Sequence, residues 1–325
     1  MNIAGLSFLR IIPAFTVPLF YNSCTVEENQ KIQPIQESSA QLSRVATEGS
    51  HQLEDGSIFE GHLAMGLPQG FGTKTYQNED VYQGHFNKGF AHGYGIMRYK
   101  SLPQVDRYFG NWANSRREGH GTLVMKDGSE MVGHWQKDEL VYGEFSAPEG
   151  AKYFGKWDGN LLIDGVYESS SGERFFGTFN KQGDFLFGSL LLSDGSIYHG
   201  SFENAQFHGQ GIHELINGSV YSGQFVFGKK SGIGLLKEAD GSSYHGEFKE
   251  DLPDGYGVQS DVSGVRYAGS WSMGVRHGAG SLDFGDGTFF SGEFENGLAT
   301  SGKYDWGDGR VTESYQDDEG NWKDL

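Results

Sequence analysis

The sequence predicts an all-β fold: a single-layer antiparallel meander of tandem β-hairpin repeats, drawn out into an elongated twisted rod. Three observations lead there. Glycine recurs at Gly61, Gly84, Gly110, Gly133, Gly155, Gly177, Gly200, Gly223, Gly246, Gly269 and Gly292, at spacings of 22 or 23 residues with a single 26 before Gly110. Apolar residues flank each glycine at i−2 and i+2, and Asp-Gly or Asn-Gly dipeptides punctuate the chain between units. A fixed short period of this kind means stacked units that each contact only their neighbours.

The first strand of each unit comes from the flanking residues. Phe59, Tyr82, Tyr108, Met131, Tyr153, Phe175, Tyr198, Tyr221, Tyr244, Tyr267 and Phe290 precede the glycines, and Leu63, Phe86, Trp112, Trp135, Trp157, Phe179, Phe202, Phe225, Phe248, Trp271 and Phe294 follow them. Apolar, Gly, apolar at i, i+2 and i+4 has a period of two, which is a strand with one buried face and is incompatible with helical spacing. The glycine between two rings leaves room for a neighbouring ring or backbone to approach closely.

The return strand begins at a second signal. Gly-x-Gly follows in most units, as at Gly70/Gly72, Gly93/Gly95, Gly209/Gly211 and Gly232/Gly234. The link to the next unit is a tight turn at Asp55-Gly56, Asp127-Gly128, Asp194-Gly195, Asn217-Gly218, Asp240-Gly241 and Asp286-Gly287. Such dipeptides suit two-residue hairpin turns that require positive φ. Eleven hairpins give about 22 strands, and at roughly 4.8 Å per strand a rod on the order of 100 Å long. The array spans 53–304, with 305–325 as a degenerate repeat or C-terminal cap.

Stretches such as Asp194-Gly195-Ser196-Ile197-Tyr198-His199-Gly200-Ser201-Phe202-Glu203, followed by His208-Gly209-Gln210-Gly211, resemble the MORN repeat (membrane occupation and recognition nexus). The resemblance covers about eleven tandem copies from residue 55 to about 304. It implies scaffolding, partner binding or membrane association, and no enzyme activity of its own.

The repeat also explains the composition: 51 glycines in 325 residues is about twice the usual share of roughly 7 %. A formal charge of −18 argues against a nucleic-acid partner, which favours clustered Lys and Arg. It argues equally against anionic-lipid headgroups, because only Arg116-Arg117 and Lys229-Lys230 pair up where about four to eight clustered cations are expected.

Residues 1–24 differ from all that follows. One early cation, an almost wholly apolar run from Ile11 to Tyr21 and then Asn22-Ser23-Cys24 have the shape of a secretory signal, too short and too interrupted by Pro13 and Pro18 for a transmembrane helix. Cys24, the only cysteine, resembles the lipidated residue of a bacterial lipoprotein signal, and Glu27-Glu28 resembles the export signal that follows it in some of these proteins. Tyr21 departs from the aliphatic residue usual three before the cysteine. Lipidation at Cys24 gives a membrane-associated or secreted protein; an apolar leader with an inert thiol gives a cytoplasmic one. Residues 25–52, rich in Gln, Glu and Ser, read as a flexible tether with a reach of roughly 30 Å.

No catalytic, cofactor or metal site emerges from the motifs. Gly-x-Gly lacks the third glycine and the helix of a nucleotide loop. Asp283-Phe284-Gly285 lacks the other parts of a kinase. His92, His208 and His277 recur just before Gly-x-Gly, where a hydrogen bond in the turn explains them. His62/His85 and His199/His245 fall two strands apart, roughly 10 Å, too far to share a zinc ion with bonds near 2.1 Å.

The informative departures are contiguous. In the fourth to sixth units the second glycine of Gly-x-Gly gives way to a bulky residue, in Gly143-Glu144-Phe145, Gly165-Val166-Tyr167 and Gly188-Ser189-Leu190, and the last unit does the same at Gly302-Lys303-Tyr304. The residue before the repeat glycine, polar or small elsewhere, becomes Phe109, Val132, Phe154 and Phe176 in units three to six. Nearby loops are apolar at Leu140-Val141, Leu161-Leu162-Ile163 and Phe185-Leu186-Phe187. Exposed apolar area of this size marks an interaction site. Phe109, Val132, Phe154 and Phe176 are therefore the candidate partner-binding residues, for a protein partner or a second copy of the chain. Decayed repeats, or a tether folded back over them, are the alternatives. A lipid- or glycan-reading array using the aromatic columns, and a targeting or regulatory subunit for an enzyme on another chain, are the other functional readings.

Overall fold

A computed structural model describes residues 49–325. The leader at 1–24, Cys24 and most of the expected tether lie outside the described residues. What is described is strand and turn, with no helix, in an open antiparallel meander. It divides at Gly183/Asp184 into two units.

The first unit holds β1 (Ser50–Gln52), β2 (Ile58–Ala64), β3 (Leu67–Thr75), β4 (Val81–Asn87), β5 (Phe90–Arg98), β6 (Val105–Ala113), β7 (Arg116–Met125), β8 (Glu130–Gln136), β9 (Glu139–Ser146), β10 (Lys152–Asp158), β11 (Leu161–Glu168) and β12 (Arg174–Phe179). The second holds β13 (Phe185–Leu191), β14 (Ile197–Glu203), β15 (Gln206–Glu214), β16 (Val220–Val226), β17 (Lys229–Lys237), β18 (Ser243–Lys249), β19 (Leu252–Ser260), β20 (Arg266–Ser272), β21 (Val275–Asp283), β22 (Phe289–Glu295), β23 (Leu298–Asp305), β24 (Val311–Gln316) and β25 (Trp322–Asp324). Within each unit every strand pairs with the next. The strands beyond the expected 22 are β1, at the end of the segment read as tether, and β24 and β25, which cap the C-terminal end.

One face of each sheet is the core. In most repeats the residues two before and two after the repeat glycine are buried together, and Phe59, Tyr82, Tyr108, Tyr198, Tyr221 and Tyr267 reach 0 % exposure. They are buried by each other. Tyr221 packs edge-to-face on Phe225 of its own strand (5.0 Å, 84°) and on Phe248 of the next repeat (5.1 Å, 84°), and Tyr244 does the same with Phe248 and Trp271. Edge-to-face pairs of this kind contribute about 0.5–1.5 kcal/mol each beyond the area they bury. The hydroxyls of Tyr82, Tyr108, Tyr198, Tyr221, Tyr244 and Tyr267 each donate to the carbonyl three residues on, as Tyr221 does to Gln224 at 3.0 Å. The indole N–H groups of Trp112, Trp135 and Trp157 donate to the carbonyls of Gly95, Gly121 and Gly143 at 3.0–3.1 Å. The buried polar atoms of these rings are thereby satisfied.

The turns depart from expectation. Gly56 N–H donates to Leu53 O, and Leu53 N–H to Ser57 O, both at 2.9 Å, so three residues lie between the closing pair and only the glycine has positive φ (+76°). The Asp-Gly segments are three-residue loops ending in a left-handed glycine, not two-residue turns. The two-residue turns sit at the other end of most hairpins, at Lys88-Gly89, Lys137-Asp138, Asn204-Ala205, Phe227-Gly228 and their equivalents, with both residues at positive φ; at Gly159-Asn160 only the glycine is positive.

The shortened return strands are a second correction. In a full-length hairpin the register runs from Gly84↔Gly95 to Phe86↔Ala91, two forward residues against four returning. In β8/β9 it runs from Gly133↔Gly143 to Trp135↔Leu140, two against three. Gly143, Gly165 and Gly302 still face the repeat glycines. What is lost there is the first glycine of Gly-x-Gly, together with one residue of the bulge. The bulky residues then fall on the inner face: Phe145, Tyr167, Leu190 and Tyr304 are all buried, as are Leu140 and Leu162 of the supposed loops.

Candidate functional site

The opposite, outer face is where the four predicted residues lie. Phe109 on β6, Val132 on β8, Phe154 on β10 and Phe176 on β12 precede their repeat glycines and point away from the core. Strand register places them on one line. Ile96↔Phe109, Phe109↔Thr122, Thr122↔Val132, Val132↔Glu144, Glu144↔Phe154, Phe154↔Val166 and Val166↔Phe176 follow one another across β5 to β12. The row is therefore continuous within the first unit. Phe109, Val132 and Phe154 are half-buried and Phe176 is exposed.

Three members of this face were missed by reading forward strands alone. Ile96, itself buried, and the half-buried Val166 fall in the row from return strands, and pairing supplies the only signal for them. Tyr142, exposed on β9, lays its ring 5.1 Å from Phe154 at 75°. Of the apolar loop residues, Ile163, Leu186 and Phe187 are exposed, while Phe185 packs on Phe202 at 5.5 Å.

Glu144 within the row and Arg174 beside it are paired locally. Glu144 accepts from the Ser146 hydroxyl at 2.8 Å and lies 3.8 Å from Lys152 Nζ, and Arg174 lies 3.2 Å from Glu168. Exposed pairs of this sort contribute little to stability, but they leave the apolar row flanked by neutralised charge. The first unit as a whole carries 13 Lys and Arg against 17 Asp and Glu, the second 9 against 22.

The inner columns do not offer a second surface. With the tyrosines of most repeats wholly buried and their ring faces occupied by the next repeat, no stacking platform for a sugar or acyl chain is left on them. His208 makes the expected polar contact near its turn, Nε2 to Glu203 at 3.1 Å. Among the described residues no three metal-ligating side chains converge.

The profile of the MORN repeat matches residues 59–81, 82–101, 108–130, 198–220, 221–243, 244–266, 267–289 and 290–309, which is more than half of the chain. The chain belongs to the MORN-repeat family. The profile recognises eight MORN repeats and passes over 131–197, where β8/β9 and β10/β11 nonetheless form hairpins of the same kind. That unmatched stretch holds Val132, Phe154 and Phe176.

No curated protein matches the sequence. Among solved structures, the SAS-4 TCP domain of Drosophila melanogaster, in complex with a proline-rich motif of Ana2, is similar at 11 % identity over 52 % of this chain and 86 % of that one, with a TM-score of 0.31. The TCP10 domain of Danio rerio CPAP, in complex with a STIL peptide, matches at 11 % identity over 85 % and 98 %, with a TM-score of 0.24. A streptogramin B lyase matches at 11 % identity over 86 % and 90 %, with a TM-score of 0.14.

Proposed function

We propose that this MORN-repeat protein is a non-enzymatic binding scaffold that docks a protein, either another chain or a second copy of itself, on the outer face of β6 to β12. The observation that carries this reading is the cross-strand row in which Phe109, Val132, Phe154, Val166 and Phe176 stand in register with only Thr122 and Glu144 between them. In the same row of the second unit the forward strands carry His199, Ser222, His245, Ala268 and Ser291, while the return strands bring Ile212, Leu235 and Val258, so what is particular to β6 to β12 is the large apolar residue on every forward strand. The less acidic unit carries the row, which lowers the repulsion that an approaching acidic protein meets. Attachment to a membrane through lipidated Cys24 belongs to the same reading and rests on the sequence; acyl chains found on Cys24 by mass spectrometry would support it, and an intact Met1 would remove it.

Replacing Phe154 and Phe176 together with Ser tests the docking face. The double variant should keep its β-sheet circular dichroism, lose any self-association seen by light scattering, and lose the protein that co-purifies with the wild type. Unchanged assembly and an unchanged co-purifying protein would overturn the proposal.

A further inference from the structure

The outer face also brings together two strong metal ligands. His120, the middle residue of Gly119-His120-Gly121 on β7, is the direct cross-strand partner of His134 on β8. Both are exposed, and their ring centroids lie 5.4 Å apart at an interplanar angle of 74°. Equivalent positions in other repeats face Phe71 with His85, Tyr94 with Asn111, and Ile233 with Glu247. Sequence spacing hides the pair, because the two histidines occupy different positions in the repeat.

The separation suits chelation. With bonds of about 2.1 Å and a tetrahedral angle, two ligating nitrogens sit about 3.4 Å apart and their ring centroids about 5 Å apart. The glycines on either side of His120 carry no side chain to restrict its ring. Asn111 holds the strand by donating to the His120 carbonyl at 3.3 Å, and among the described residues no hydrogen bond engages a ring nitrogen of either histidine. Neutral imidazole is a ligand for zinc, nickel and copper, while oxygen donors suit magnesium and calcium.

We propose that His120 and His134 bind one divalent cation of the zinc, nickel and copper class, with the remaining coordination positions open to water. The site lies beside Val132, at the edge of the apolar row, but does not depend on that row being a docking face.

Calorimetric titration of the full chain with zinc chloride at neutral pH tests it, in a Cys24→Ser background so that the thiol does not contribute. Saturable binding of one zinc per chain is expected, kept by His277→Gln and weakened at least tenfold by His120→Gln and by His134→Gln, each with wild-type circular dichroism. Magnesium should give no saturable site. No saturable zinc binding in the Cys24→Ser chain, or an affinity within threefold of it in both His120→Gln and His134→Gln, would overturn the proposal.

Discussion

Gly223 leaves no room for a methyl group. A Cβ there would lie 2.5 Å from the Tyr221 hydroxyl and 2.6 Å from Gly234 Cα, because the ring lies across the two facing glycines and its hydroxyl is anchored at Gln224 O. Gly223→Ala must move either the ring or the backbone pair, and overpacking of that kind costs about 1–3 kcal/mol or more. Tyr221→Phe loses only the hydroxyl hydrogen bond, about 0.5–1.5 kcal/mol. Urea denaturation should rank the two in that order; an alanine as mild as the phenylalanine would show that the ring does not pin the glycine pair. At this scale the sequence was readable: aromatic, glycine, aromatic at alternate positions marks both the buried face and the close approach. What spacing did not reveal is that the intruding ring belongs to the same repeat.

At the scale of the hairpin, the Asp-Gly loops carry an acid sensitivity. Asp127, Asp194, Asp240 and Asp286 each accept the backbone N–H two residues on, at 2.8–2.9 Å. Hydrogen bonds from the side chain and backbone of that residue hold their carboxyls below the usual carboxylate range. A carboxyl whose pKa is lowered in the folded state adds stability that is complete above the unfolded value of about 3.9 and is lost as pH falls through it and below. The loop at Asn217, whose side-chain oxygen accepts from Ser219 N–H at 2.9 Å, keeps the same geometry without a charge. Converting the four aspartates to Asn should therefore preserve the fold and flatten the fall of the thermal midpoint between about pH 5 and pH 2. An equally steep fall in the variant would contradict this. The dipeptides located these loops correctly, yet the turn type escaped sequence reading: the two-residue turns with both residues at positive φ carry Met, Lys, Phe and Glu at Met65, Lys88, Phe227 and Glu250, residues that do not advertise such a conformation. The return strands at Phe145 and Tyr167 misled for a related reason. Which glycine of Gly-x-Gly is lost depends on bulge length, and only cross-strand register reveals that.

At the scale of the whole chain, two patterns coincide within 131–197. The family profile falls silent there, and three of the four large apolar forward-strand residues of the outer-face row, Val132, Phe154 and Phe176, lie there while the inner face stays packed. A stretch that had merely decayed would be expected to lose its core first. Instead Trp135, Leu140, Trp157 and Leu162 are buried, so the departures from the family pattern spare the fold and alter the surface. The four forward-strand residues of this face were legible because they share one position in the repeat; Ile96, Val166 and Tyr142 were not, because they arrive from partner strands.

The central claim is that this outer face, and not the equivalent face of the other repeats, is what the protein docks with. Tyr142 and Tyr256 give a matched pair of reporters, since both are exposed in the same relation to their repeats. Hydroxyl-radical footprinting of the assembled against the dissociated protein should show protection at Tyr142, Phe154 and Phe176 and none at Tyr256 or Ile233. Protection confined to Tyr256 and Ile233, with Tyr142, Phe154 and Phe176 oxidised equally in both states, would contradict the account.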